Sequence, residues 1–137
     1  MKAERLKQNP LFAGLTDHEY ERLERWTDEI DVPSGKPLVT QGSYPHEFMV
    51  IEQGTAEVTQ NGEHLATLGP GDFFGEIALL LHVSRTASVT ATSDVTLVVM
   101  HERDFRAMEE EIPRVAERIN FIMEKRRAKA AEQGIET

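Results

Sequence analysis

Between Pro33 and Met100, turn residues cut the chain into apolar runs too short to be ordinary helices. The breaks are Pro33-Ser34-Gly35, Gly42, Gly54, Asn61-Gly62 and Gly69-Pro70-Gly71. The runs between and after them are Leu38–Thr40, Phe48–Ile51, Ala56–Thr59, His64–Leu68, Ala87–Thr92 and Val95–Met100. A helix needs about 10–12 residues of sustained periodicity, whereas a strand needs about 4–8. Ala56-Glu57-Val58-Thr59 alternates apolar with polar residues, and Asn61-Gly62 after it is a strong hairpin signal. Short strands with turn residues between them predict an antiparallel sandwich or barrel. The fold class expected is mainly β: an antiparallel β-roll of jelly-roll type over residues 33–101.

Helices are expected on either side. Thr16-Asp17-His18-Glu19 has the form of a capping box, with Thr16 capping the helix start and Glu19 reaching back. Tyr20, Leu23 and Trp26 then follow at core-facing spacing, and Pro33-Ser34-Gly35 ends an N-terminal helical segment placed at residues 1–32. After the strands, a helix is predicted over Glu102–Glu110. Pro113 suits the first turn of another, with Val115, Ile119, Ile122 and Met123 along one face. These two helices occupy 102–133. No repeat or low-complexity segment divides the chain, so residues 1–137 read as a single domain.

Composition removes several function classes. There is no cysteine, which excludes disulfides, thiolate metal sites and cysteine nucleophiles. The formal charge of −9 argues against a nucleic-acid partner, and no run approaches the length of a membrane span. The basic group Lys125, Arg126, Arg127 and Lys129 reads as favourable charge near a helix C-terminus. The opening Met1-Lys2-Ala3-Glu4-Arg5 leads into a polar stretch rather than a secretory signal, and a cytoplasmic location is expected. His46-Glu47 and His101-Glu102 each begin H-E, but Val50 and Phe105 stand where a zinc motif needs its second histidine. His18, His46, His64, His82 and His101 form no close cluster, so no metal is expected. The chain reads as a binding module, not an enzyme.

The chemistry-bearing segment is Gly69 to Ala91, G-P-G-D-F-F-G-E-I-A-L-L-L-H-V-S-R-T-A-S-V-T-A. Gly75 opens a short apolar stretch, Glu76 to Leu81, that is predicted to be helical. Unpaired N–H groups at such a start favour an anion, and a glycine there lets a ligand approach the backbone. Arg85 offers a fork suited to phosphate oxygens, and Thr86 adds a hydroxyl. Glu76 would repel a phosphate but can accept from sugar hydroxyls. An Arg about 4 Å from a phosphate contributes about 4 kcal/mol of attraction at an effective dielectric near 20. Distant surface charge is screened over about 8 Å. An acidic chain can therefore hold an anion. These groups describe a pocket for a phosphate joined to a ribose.

The segment resembles the phosphate-binding cassette of the cyclic-nucleotide-binding domain family, F-G-E-[IL]-A-L followed by P-R-[TAS]-A. Here F-G-E-I-A-L is Phe74 to Leu79 and R-T-A is Arg85 to Ala87. L-F-A-G-L-T at Leu11 to Thr16 is similar to the family's helical entry. The resemblance implies that Glu76 accepts from the ribose 2′-hydroxyl and that Arg85 holds the exocyclic phosphate oxygens. Phe74, Gly75, Ile77, Ala78 and Ala87 would contribute through backbone or packing, and Thr86 through its hydroxyl. The implied ligand is cAMP, or cGMP, since Thr86 does not settle the base. The resemblance further implies that the last helix covers the base, with Arg118, Asn120 and Met123 as candidate contacts, and the same helix is a candidate seam for a homodimer or a regulated protein partner. Ser84 stands where the family usually has proline, and the usual loop glycine is absent around His82 and Val83. This departure keeps open a second reading, a protein-interaction module that has lost its ligand.

Overall fold

In a computed structural model, residues 2–42, 47–74 and 87–132 are described. Two α-helices, α1 (Lys2–Gln8) and α2 (Asp17–Trp26), flank a 3-10 turn at Pro10–Phe12. The strands are β1 (Asp28–Val32), β2 (Pro37–Val39), β3 (Glu47–Gln53), β4 (Ala56–Gln60), β5 (Glu63–Leu68), β6 (Phe73–Phe74), β7 (Ser88–Ala91) and β8 (Val95–His101). Helices α3 (Glu102–Glu111) and α4 (Pro113–Glu132) follow. The strands form two antiparallel sheets, ordered β1-β8-β3-β6 and β2-β7-β4-β5. This is the mainly β roll with flanking helices that the turn spacing predicts.

The β4–β5 hairpin turns at Asn61 (φ 53°) and Gly62 (φ 81°), and Gln60 pairs with Glu63. Both turn residues take positive φ, as a two-residue hairpin of matching twist requires.

β3 and β8 are buried on both faces, which explains why Phe48–Ile51 and Val95–Met100 read as nearly unbroken apolar runs. Met49, Ile51, Leu97 and Val99 face the second sheet and pack with Phe74, Val89 and Ala91. Phe48, Val50, Val98 and Met100 face the helices and pack with Phe12, Leu23, Phe105, Met108, Val115 and Ile119. Phe48 lies at the centre of this outer layer, with its ring centroid 5.5 Å from Phe73 and 5.1 Å from Phe105. Removing a ring of this kind from a closed core costs about 3–5 kcal/mol.

The predicted capping box is present. Thr16 Oγ1 accepts from Glu19 N at 3.1 Å, and Glu19 Oε1 accepts from Thr16 N at 2.9 Å. The bond from Thr16 N, chiefly, holds the Glu19 carboxyl below its usual range, and Arg114 adds to the effect. Arg114 also ties the two ends of the chain together. Its Nη2 donates to Glu19 Oε1 at 2.7 Å and its Nη1 to Gly14 O at 3.2 Å.

The structure corrects the N-terminal segment. Residues 28–32, placed in the helical segment by the sequence, form edge strand β1, paired with β8 from Asp28↔Val99 to Val32↔Val95. Asp28-Glu29-Ile30-Asp31 has no apolar alternation because only one edge of this strand is paired and its side chains are partly exposed. The roll therefore begins at Asp28, not Pro33. The N-terminal region also holds α1, which the sequence reading did not identify, with Leu6 buried against the helix-covered face.

Candidate functional site

Residues 75–86 join the two sheets. β6 belongs to the first sheet and ends at Phe74; β7 belongs to the second and begins at Ser88. Six of the predicted ligand residues, Gly75, Glu76, Ile77, Ala78, Arg85 and Thr86, lie outside the described residues. The other two, Phe74 and Ala87, bracket them. Phe74 is buried between the sheets, and Ala87 is half-buried just before β7.

The entry to this segment is held from three directions. Below it, Gly71 N donates to Ile51 O at 2.8 Å, and Ile51 N donates to Asp72 O at 2.8 Å. Within the turn, Gly69 N donates to Asp72 Oδ2 at 2.8 Å. On the helix side, Phe73 is locked by Arg126. The Arg126 guanidinium lies 4.6 Å from the centre of the Phe73 ring, and its Nη1 donates to Phe73 O at 2.8 Å. Phe73 and Phe74 point to opposite faces, as neighbouring strand residues must, so one ring anchors the strand in each core.

Sequence reasoning missed Arg126 as a specific contact. Its place in a basic run suggested only favourable charge near a helix end. Its partner is 53 residues away in sequence.

The three candidate base contacts have different surroundings. Arg118 Nη1 donates to Leu11 O at 2.9 Å and lies 3.5 Å from Pro10 O, so it anchors α4 to the 3-10 turn. Asn120 is exposed. Met123 is buried. Beside them, Phe121 is 62% exposed, with Lys125 Nζ 4.6 Å from its ring centre. A cavity of about 500 Å³ opens between α4, the 3-10 turn and β6, lined by Leu11, Phe73, Arg118, Phe121 and Ile122 among others. Among the described residues, no group of three or more His, Asp or Glu is placed to hold a metal ion. No helix among them is long and apolar enough to cross a membrane.

Residues 29–111 match the family model for the cyclic nucleotide-binding domain. The chain belongs to the cyclic nucleotide-binding domain family. The match contains both sheets apart from Asp28, the joining segment 75–86 and helix α3. Among similar proteins, the cAMP-dependent protein kinase regulatory subunit of Yarrowia lipolytica is 34% identical over 105 residues, covering 75% of this chain and 28% of that protein. The cyclic AMP receptor protein of Thermus thermophilus is 30% identical over 126 residues, covering 88% of this chain and 58% of that protein. The chain thus spans less than two thirds of the length of either relative. The crystal structure of the Thermus thermophilus catabolite activator protein superposes with a TM-score of 0.80 at 29% identity, over 90% of this chain and 61% of that one. In this cyclic nucleotide-binding domain, Phe74 ends a strand of the first sheet and Ala87 directly precedes a strand of the second.

Proposed function

We propose that this chain is a regulatory sensor that binds a cyclic nucleotide, with cAMP preferred, and that α4 responds to the ligand. One observation carries the reading: F-G-E-I-A-L and R-T-A stand, in order, in the family-matched segment that crosses from the first sheet to the second. The names of the similar proteins, a cAMP-dependent kinase subunit and a cyclic AMP receptor, support cAMP over cGMP.

In this reading the pocket separates two chemistries. Arg85 and the N–H groups following Gly75 take the phosphate, because a cation and unpaired donors favour an anion. Glu76 takes the ribose hydroxyl, where an acceptor is useful and negative charge is tolerated. Gly75, Ile77, Ala78 and Ala87 pack close to the ligand, and Thr86 donates its hydroxyl. The base is covered from α4, where Arg118, Asn120 and Met123 are the candidates. Ligand can move α4 only by contacting one of its positions better than another. The whole chain acts as one cytoplasmic sensing module that performs no catalysis, with α4 as its contact to a second copy or to a regulated protein.

Calorimetric titration with cAMP, cGMP and cyclic dinucleotides tests the proposal. Saturable binding of cAMP is expected. No saturable heat with any of them overturns it and favours the second reading, a ligandless interaction module, which Ser84 in place of proline supports.

A further inference from the structure

Helix α1 closes over a pair of carboxyl groups. Glu29 on β1 pairs with Val98, and Glu52 follows Ile51 on β3, on the other side of β8. Val98 and Val50 belong to the helix-covered core. Side chains alternate along a strand and cross-strand partners share a face. Glu29 therefore stands on the helix-covered face; Glu52 sits where the β3–β8 register shifts between Ile51 and Gln53, and it lines a cavity with Arg5 of α1, which places it on the same side.

Their oxygens are unequally satisfied. Glu29 Oε1 is ion-paired with Arg5 Nη1 of α1 at 3.1 Å. Glu29 Oε2 and Glu52 Oε1 are both buried without a hydrogen-bond donor. Two ionised carboxylates have only acceptors to offer each other. A single proton between them makes one group a donor and satisfies both. Arg5 and Glu52 also line one cavity of about 250 Å³ with Asn9, Pro10, Pro70 and Gly71, so the pair lies where α1 and the turn after it meet the roll.

We propose that Glu29 and Glu52 share one proton, and that losing it loosens helix α1 from the β-roll, so that docking of α1 is a pH-sensitive switch. The charged groups facing the pair are Arg5 from α1 and Asp31 from β1. Asp31 Oδ1 accepts from Thr96 Oγ1 of β8 at 2.8 Å, and its negative charge favours the protonated pair. The other residues lining the cavity, from α1, β3 and the turn before β6, are uncharged.

Burial first, and then the neighbouring Glu29 carboxylate, push the Glu52 carboxyl up to about 7, while Arg5 pulls more weakly the other way. Lifting α1 removes its share of that burial together with the weaker pull of Arg5, and loss of burial is the larger of the two, so the lifted state holds the proton less tightly. Glu29 and Asp31 stay beside Glu52 on β1 when α1 lifts, so the window in which the docked state alone binds the proton lies just below about 7. Docking is therefore favoured below that window and weakens as pH rises through it. The inference is independent of any nucleotide.

Carbon-detected NMR of the full chain labelled on glutamate carboxyls, with amide exchange across α1 from about pH 6 to about pH 8, tests this. The Glu52 carboxyl is expected to titrate near 7, and α1 amides, corrected for intrinsic exchange, to lose several-fold protection relative to β8. Glu52→Gln keeps a donor for Glu29 without the charge, so its α1 protection should stay flat over the same range. Three results overturn the switch: titration of Glu52 in the ordinary carboxylate range, α1 protection that does not change in the wild-type chain, or an equal change in Glu52→Gln.

Discussion

Arg126, six residues before the end of α4, clamps Phe73, the penultimate residue before the segment that joins the two sheets. One nitrogen of the guanidinium donates to the Phe73 carbonyl at 2.8 Å while its carbon lies 4.6 Å from the ring centre. The Phe73 ring is almost fully buried against Phe48, so the clamp ties the second half of α4 to the aromatic layer of the core. Helix α4 and the proposed ligand segment are thereby linked through two adjacent residues, Phe73 and Phe74.

Replacing Arg126 with Ala should cost about 1–2 kcal/mol of stability, combining a charge-assisted hydrogen bond with a cation–π contact at a partly buried site. Urea unfolding measures it. Amide exchange should quicken in the second half of α4 but not in β8. An unchanged midpoint together with unchanged exchange would show that the clamp carries no energy.

Arg85→Ala should weaken cAMP binding by about 2–3 kcal/mol, roughly 30- to 150-fold. Glu76→Ala should lose much affinity for cAMP and little for its 2′-deoxy analogue, because the carboxylate addresses the ribose. Calorimetry on variants that keep the wild-type circular dichroism decides both. Unchanged affinity in the first, or equal losses for both ligands in the second, removes that residue from its assigned role.

Ending the chain at Ile112 should weaken cAMP binding at least about tenfold, about 1.4 kcal/mol. The structure adds a stability cost to this expectation. Val115 and Ile119 are fully buried in the helix-covered core, and Arg118 holds the carbonyl of Leu11. The comparison therefore belongs at a temperature where circular dichroism reports both chains folded. In the full chain, cAMP should slow exchange over 114–125 as well as 75–87. Equal affinities with and without α4 would leave the helix a packing element alone.

Gly54→Ala should destabilise the roll by at least about 2 kcal/mol, while Gly62→Ala costs less. Gly54 has φ +92°, and an added Cβ would collide with the Asp94 carbonyl oxygen and the backbone at Val95. Gly62 has φ +81° but open space around it. Thermal unfolding of the two variants separates collision from backbone strain. Equal losses would mean that the Asp94 contact is not the cause.

The features legible in the sequence are those encoded within a few residues. Asn61-Gly62 predicts its hairpin because both φ values are positive there. Thr16 and Glu19 predict their cap because the reciprocal bonds span three residues. Pro113 and the Val115–Met123 stripe predict α4 because helical periodicity is local. The F-G-E-I-A-L and R-T-A strings place the family and the candidate ligand segment for the same reason, since their meaning lies in order and spacing.

Tertiary structure alone decided the remainder. β1 has no strand pattern of its own and exists because β8 offers it an edge. Arg126 reads as one cation among several until folding brings Phe73 beneath it. Glu29 and Glu52 are ordinary acidic residues in sequence, and folding buries an oxygen of each without a donor on the two sides of β8. Local patterning reports what a segment can form by itself, whereas these contacts depend on groups distant in sequence, and no nearby residue encodes them.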